Sequence, residues 1–264
     1  MDEVTLDGGI GNGGLVVRVG DTVRRPWHPS TEATHALLTH LDQVLPGVAP
    51  VPLGRDERGR EMLSYLPGDV AVPPFPGWVT STEFLVSLGE LLRRVHDALA
   101  AWSPPAGLVW SDQIPDPDGG PMIVHTDICP ENVIVRDGRA VGIIDWEFAS
   151  PGRAIWDVVS TARLCVPFTA LDRRDPVYQG LDVTARLRTF LDAYGLSAVE
   201  RAAFPSVLDQ RRQAGERFTR RRVALGQAAF VQKWAGPAGE ERYASERDWV
   251  HAVPPDVAVR ADGP

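Results

Sequence analysis

Four polar side chains between residues 125 and 145 have the types and spacing that phosphoryl transfer requires. His125, Asp127 and Asn132 form the pattern H-x-D-x-x-x-x-N, and Asp145 stands 13 positions after Asn132, at the end of the apolar run 140–144. Phosphoryl transfer needs a carboxylate near the attacking hydroxyl and oxygen ligands that hold Mg²⁺ on a triphosphate. We therefore expect Asp127 to accept or orient the proton of an acceptor hydroxyl, and Asn132 and Asp145 to bind Mg²⁺.

A predicted hairpin brings the two metal ligands together. Asp137-Gly138 lies between two apolar runs, and this dipeptide favours a two-residue turn between antiparallel strands. Such a turn returns the chain to the same end of the ribbon, so Asn132 and Asp145 should be neighbours. The H-x-D pattern alone is more typical of two loop residues whose polar groups are satisfied by hydrogen bonds. The whole set of His125, Asp127, Asn132 and Asp145, with a hairpin between them, favours a catalytic loop in which His125 bonds to the backbone near Asp145.

The segment resembles the catalytic region of the aminoglycoside phosphotransferases and related small-molecule kinases, a family with a protein-kinase-like fold. The resemblance rests on HTDICPENVIV, VGIIDWEFASPG and WDVV, within residues 121–160. It implies a catalytic role for Asp127 and metal ligation by Asn132 and Asp145. It also implies that the loop histidine is His125. The resemblance further implies a Mg²⁺-dependent kinase that binds ATP or GTP between two lobes. Asp157 of WDVV matches a family aspartate that packs beneath the catalytic loop.

The resemblance also predicts how the nucleotide is held. A glycine cluster that includes Gly11 and Gly13 occupies the place of a phosphate-covering loop, although a flexible terminus is an equally good interpretation. The family has a lysine or arginine on the next strand, where this sequence offers Arg24 as the first choice and Arg25 as the second. The helix glutamate that pairs with this cation has a nearby acidic counterpart only in Glu32.

The helical periodicity instead aligns Thr34 or His35 with that glutamate. The strand 61–66 resembles the one that leads into the interlobe hinge, so the backbone near Tyr65 and Leu66 is expected to contact the purine base.

Hydrophobic patterning predicts an α+β fold with two lobes. Residues 1–66 are expected to form a small β-rich lobe, with a hairpin over 15–25, a helix over 30–45, and strands over 48–53 and 61–66. Residues 67–264 are expected to form a larger and mainly helical lobe, with helices over 80–99, 182–194 and 198–234. This lobe carries the catalytic loop and the acceptor pocket. The arginines between residues 211 and 222 are interpreted as a solvated helix face.

Composition limits the remaining possibilities. The chain has 27 Lys and Arg against 35 Asp and Glu, a net charge of −8, which disfavours nucleic acid and suits a cationic or neutral small molecule with a hydroxyl group. Its two cysteines form no CxxC pair, its start is not a signal peptide, and no apolar run approaches the roughly 20 residues that span a bilayer. We expect a cytoplasmic monomer or homodimer.

Two other functions stay open at this point. The missing strand lysine and helix glutamate are compatible with a catalytically silent nucleotide-binding regulator. A metal-dependent hydrolase with the same carboxylates would need a water-activating base or a second metal cluster, which the sequence does not indicate.

Overall fold

An antiparallel sheet and one helix form the N-terminal part of the protein. The computed structural model describes residues 3–6 and 15–259, so Gly11 and Gly13 lie outside the described residues. The sheet has the strand order β1-β2-β3-β5-β4. Its strands are β1 Val4–Thr5, β2 Val17–Val19, β3 Thr22–Arg25, β4 Pro52–Arg55 and β5 Glu61–Ser64. Helix α1, Thr31–Val44, places Ala33, Leu37, Leu38 and Leu41 in the core.

The C-terminal part is mainly helical. Its central helix α2, Thr82–Ala100, begins where the Ser81 side chain accepts a hydrogen bond from the Phe84 backbone N–H, as expected for an N-cap. The other helices are α3 Ala154–Cys165, α4 Val183–Tyr194, α5 Ala198–Ala224, α6 Ala228–Trp234 and α7 Gly236–His251. The remaining strands are β6 Met122–Val124, β7 Val133–Arg136, β8 Arg139–Ile143 and β9 Ser150–Gly152. The predicted α+β class is confirmed.

The predicted catalytic hairpin is present as β7 and β8. Val133 pairs with Ile143 in antiparallel register. The turn uses Asp137 and Gly138 with φ values of 50° and 75°, the left-handed conformation that a two-residue turn requires. The backbone N–H of Ile144 donates to the Asn132 carbonyl at 2.9 Å, which extends the pairing to the residues beside the proposed metal ligands.

Close backbone contacts join the sheet to the hairpin. The Ile143 N–H donates to the Val48 carbonyl at 2.8 Å. A Cβ atom on Gly142 would lie 2.6 Å from Leu66 Cδ2 and 3.1 Å from the Val48 carbonyl oxygen. A larger residue at position 142 would therefore require the Leu66 side chain to move and would crowd the Val48 carbonyl group.

Two predictions about individual elements were wrong. The helical run predicted over 198–234 forms two helices, because α5 ends at Ala224, Gly226 adopts a φ of 69° and α6 begins only at Ala228. Arg211 and Arg212 are only 3% and 8% exposed, so this part of the arginine-rich run is buried instead of solvated. None of the helices in the described ranges is both long and apolar enough to cross a membrane.

Candidate active site

His125 ties the candidate catalytic loop to the end of the hairpin. Its Nε2 atom lies 2.9 Å from the Ile144 carbonyl oxygen, which can only accept, so Nε2 carries the proton. Nδ1 is then free to accept the Asp127 backbone N–H at 3.2 Å. The imidazole is therefore placed as the sequence predicted, bonded to backbone next to Asp145, and it fixes the position of Asp127.

Thr126, between the histidine and the candidate base, is held in an unfavourable backbone conformation. Its φ of 70° is rare for a β-branched residue, and such strain persists only where the surroundings fix it. All of its polar groups are bonded: the N–H donates to Asp157, the hydroxyl donates to the Phe148 carbonyl at 3.1 Å, and its carbonyl accepts from Arg211 at 3.2 Å. The loop shape is thus imposed by three separate elements.

Asp157, on α3, supports the loop from below. Its two carboxylate oxygens accept the backbone N–H groups of His125 at 2.6 Å and Thr126 at 2.5 Å, and the side chain is almost fully buried. Burial alone would raise the pKa of Asp157, but the hydrogen bond and charge of His96 and the loop N–H groups hold that pKa below its usual value. The carboxylate therefore stays ionised as a loop anchor.

Asp127, the candidate base, lies in a site that shifts its ionisation toward neutral pH. Burial raises the pKa of Asp127 to about 6, and the carboxylates of Asp145 and Glu131 act in the same direction, against the charge of Arg211. A carboxylate with this pKa is mostly ionised at pH 7 and still accepts a proton more readily than an ordinary aspartate. That behaviour suits a general base.

Asn132 and Asp145 offer oxygen atoms of the kind that Mg²⁺ binds. The Asn132 Nδ2 donates to the Asp127 carbonyl at 3.0 Å, which leaves its Oδ1 for a cation. Asp145 has a φ of 63° at the end of β8, and its side chain is 27% exposed. One amide oxygen and one carboxylate match Mg²⁺ sites that are completed by phosphates and water. Within residues 3–6 and 15–259 no cluster of three or more His, Cys, Asp or Glu side chains could hold a metal by itself.

Arg25, and not Arg24, reaches the cleft from the sheet. Its Nη1 donates to Asp145 Oδ1 at 2.7 Å and its Nε donates to Glu61, and Arg25 is only 6% exposed. Arg24 lies instead beside Asp56, with 3.7 Å between Nε and the carboxylate. Alternation of side chains along β3 explains why only one of these neighbouring arginines can face the cleft.

Glu61 holds Arg25, and sequence analysis missed it. This buried carboxylate accepts from Arg25, and its Oε1 lies 2.9 Å from His35 Nε2 on α1. Burial would raise the pKa of Glu61, but the His35 hydrogen bond and the charge of Arg25 keep it below the usual value. The missed signal is the strand register, because Arg25 is directly opposite Glu61 in the β3–β5 pair. Glu32, the acidic residue considered earlier, does not pair with Arg25.

Two cavities meet at the hairpin end. One cavity, which we name the nucleotide cavity after the role proposed for it below, lies between the sheet and β7 and is lined by Arg25, Tyr65, Leu66 and mainly apolar side chains. The other, which we name the acceptor cleft on the same basis, lies on the other side and contains Asp127. Glu131, Asn132 and Asp145 line both. The Tyr65 backbone N–H already donates to the Asp21 carbonyl at 2.8 Å.

Glu147, two residues after Asp145, also lines the acceptor cleft. Burial raises its pKa to about 7, and the nearby carboxylate of Asp145 adds to the shift, while Arg25 opposes it. The Glu147 carboxyl group therefore titrates at neutral pH beside the candidate metal ligand.

Comparisons with known proteins identify the family of this chain. The model of the phosphotransferase enzyme family matches residues 108–225. The chain is 38% identical over 210 residues to the trifolitoxin immunity protein of Rhizobium leguminosarum bv. trifolii. The aligned region covers 77% of this chain and 78% of that protein.

Three solved structures with a similar fold are an amicoumacin kinase, an aminoglycoside phosphotransferase and a choline kinase. Amicoumacin kinase hAmiN has a TM-score of 0.62 at 13% identity and covers 96% of this chain and 89% of its own. The GDP complex of aminoglycoside 2'-phosphotransferase-IIIa has a TM-score of 0.60 at 13% identity, and the match covers 94% of this chain and 93% of that protein. Choline kinase LicA of Streptococcus pneumoniae has a TM-score of 0.56 at 14% identity, and the match covers 96% of this chain and 94% of that protein. This chain therefore belongs to the phosphotransferase enzyme family and has its bilobal, protein-kinase-like fold.

Proposed function

We propose that this protein transfers the γ-phosphoryl group of ATP or GTP to a hydroxyl group of a small molecule, with Asp127 as the base. The observation that carries the proposal is that Asn132 and Asp145 line both cavities, while Asp127 lies in the acceptor cleft. A phosphoryl group would therefore have to pass between the two cavities at the proposed Mg²⁺ ligands.

The proposed reaction is a direct displacement. The acceptor oxygen attacks the γ-phosphorus, its proton passes to Asp127, and the bond to the β-phosphate oxygen breaks to release the nucleoside diphosphate. When bound by Asn132 and Asp145, Mg²⁺ would neutralise charge on the phosphates. Arg25, held by Glu61, would bind the same phosphates with a planar, bidentate donor group. The purine base of the nucleotide would lie near Tyr65 and Leu66. Gly11 and Gly13 are proposed to cover the phosphates.

Defence against a toxic natural product is the proposed biological role. The relative with 38% identity is an immunity protein against trifolitoxin, and phosphorylation of a hydroxyl is one way to inactivate such a compound. The same chemistry would act in the cytoplasm, where the nucleotide is available, and it requires neither a nucleic acid nor a membrane.

Radiolabel transfer tests the proposal. The protein is incubated with Mg²⁺, γ-³²P-labelled ATP or GTP and a library of hydroxyl-bearing compounds, and labelled product is separated from free phosphate. We expect labelled product with the wild type and none with Asp127→Ala of unchanged thermal stability. Thermal stabilisation by nucleotide without turnover would identify a silent regulator, and release of phosphate without an acceptor would identify a hydrolase.

A further inference from the structure

Three phenylalanine rings form a row that leads away from the candidate base. Phe148 follows Glu147 and accepts the Thr126 hydroxyl with its carbonyl, so it begins at the catalytic loop. Its ring contacts Phe218 edge to face at 5.6 Å between centroids, and Phe218 contacts Phe230 at 5.7 Å. All three are only partly buried, and all line the acceptor cleft.

Other apolar side chains continue the wall at the outer end. Val109 and Leu225 are 58% and 65% exposed, and Trp110 lines the cleft from the segment before β6. Exposed apolar side chains that share a cleft with aromatic rings are typical of a surface that a ligand covers.

The charges of the outer half do not suit a cation. Asp112, Arg221 and Arg222 line it, and the Arg221 guanidinium pairs with Asp112 at 3.4 Å. Arg222 donates to the neutral side chains of Gln113 and Gln227, and it forms no ion pair within the described part of the chain. Asp112, Arg221 and Arg222 together give this part of the cleft a net charge of +1, although the whole chain is acidic. The other carboxylates of the cleft, Asp127, Glu131, Asp145 and Glu147, belong to the candidate catalytic loop and the end of the hairpin, and the charge of Arg222 acts on Glu147 by lowering its pKa.

Aromatic rings can also attract cations, but here that interaction is already made internally. The Arg222 guanidinium carbon lies 4.9 Å from the centroid of Phe218. A cationic acceptor would have to displace this contact and approach a positive group.

We infer that the acceptor carries a planar apolar group and no positive charge, and that this group packs on Phe148, Phe218 and Phe230 while the hydroxyl lies at Asp127. The inference rests on the proposed function and narrows its acceptor class. Of the cationic and neutral acceptors that suited the overall charge of the chain, it excludes the cationic ones.

Equilibrium binding of matched alcohols tests the inference without turnover. The full chain, saturated with Mg-ADP, is titrated by calorimetry with 2-(2-naphthyl)ethanol, its saturated decalin analogue, choline and gentamicin. We expect the naphthyl alcohol to bind at least about threefold more tightly than the decalin alcohol, because only the planar ring stacks. Tighter binding of choline or gentamicin, or no preference for the planar ring, would overturn the inference and leave phosphoryl transfer to be judged by the radiolabel experiment.

Two pairs of variants connect the preference to the proposed wall. Phe218→Leu should weaken binding of the naphthyl alcohol about three- to tenfold and leave the decalin alcohol unchanged. Its control is Phe75→Leu, since Phe75 packs on Tyr178 outside both cavities. A positively charged aminomethyl group on the naphthyl ring should weaken binding of the alcohol. Arg222→Gln should remove this loss of affinity. The control Arg217→Gln, on the same helix, should not. Equal effects in a variant and its control would contradict the assignment.

Discussion

Arg25 Nη1 lies 2.7 Å from Asp145 Oδ1, and this bond joins the N-terminal sheet to the end of the catalytic hairpin. The same guanidinium is anchored from behind by Glu61, which contacts His35 on α1. Because guanidinium groups bind carboxylates and phosphates with the same planar geometry, a bound triphosphate would compete with Asp145 for Arg25. The pair thus links nucleotide binding to the freedom of Asp145 to bind a metal.

The first prediction concerns Arg25, which we propose binds the phosphates. Arg25→Lys should raise the KM for nucleotide about tenfold or more, because an ammonium group cannot keep the Glu61 contact and a bidentate phosphate contact together. Steady-state kinetics with varied nucleotide measures this effect. Arg24→Lys is the matched control, since Arg24 lies beside Asp56. A larger KM increase in Arg24→Lys would show that the phosphates lie on the other side of β3.

The second prediction separates catalysis from stability at Asp127. Asp127→Asn should lower kcat at least about 100-fold, because the amide cannot accept a proton. The same variant should be more stable at pH 7 by about 1–2 kcal/mol, since burial of the ionised carboxylate raises its pKa to about 6 and destabilises the fold.

The size of this stability difference depends on pH. In the unfolded chain Asp127 has the ordinary aspartate pKa of 3.8, and in the folded protein its pKa is about 6. The destabilisation therefore develops as the pH rises through this interval and is absent below it, where both forms are neutral. Denaturant unfolding at pH 4 and pH 7 measures it. Equal stability of Asp127→Asn and wild type at both pH values would contradict the burial of this carboxylate.

The catalytic loop could be predicted from sequence because its geometry is local. His125, Asp127 and Asn132 lie within eight residues, and the Asp137-Gly138 turn returns the chain to Asp145 without information from distant elements. Residues whose position depends on tertiary packing were not predicted.

Glu61 and Arg211 show why those residues were missed. Glu61 meets Arg25 only through the register of β3 and β5, which a strand pattern does not specify. Arg211 belongs to a helix whose arginines occupy several faces, and only the packing of α5 on α3 places its guanidinium against Ser160 and the Thr126 carbonyl. The sequence pattern therefore does not distinguish the buried Arg211 and Arg212 from exposed neighbours such as Arg217.

The third prediction concerns the pH dependence of metal binding. Burial and the charge of Asp145 raise the pKa of Glu147 to about 7, so this group becomes ionised as the pH rises from 6 to 8. The added negative charge should strengthen Mg²⁺ binding to the nucleotide-bound protein about three- to tenfold over that interval. Titration of Mg²⁺ against nucleotide-induced thermal stabilisation measures it.

Glu147→Gln isolates this contribution. The titration of the nucleotide itself is common to both proteins, so the variant should keep only that part of the pH dependence. Glu90→Gln, which removes a surface partner of Arg139, should behave as the wild type. An unchanged pH dependence in Glu147→Gln would show that this carboxyl group does not act on the metal site.

The fourth prediction concerns the anchor beneath the loop. Asp157→Asn replaces a carboxylate that accepts two backbone N–H groups, from His125 and Thr126, and the amide can accept only with its oxygen. Because one buried N–H loses its partner, the free energy of unfolding should fall by about 2–3 kcal/mol at pH 7, with a reduced kcat. The control is Asp97→Asn, since the exposed pair with Arg93 should contribute less than about 1 kcal/mol.

The pH dependence of the Asp157 variant distinguishes anchoring from a general packing defect. The pKa of Asp157 is held below its usual value in the folded protein, so its contribution to stability is present above the unfolded pKa and disappears as the pH falls through the folded one. The difference between wild type and Asp157→Asn should therefore shrink below about pH 4, as measured by chemical unfolding. A difference that stays constant to pH 3 would mean that the shape of the side chain, and not its charge on the strained Thr126 backbone, stabilises the loop.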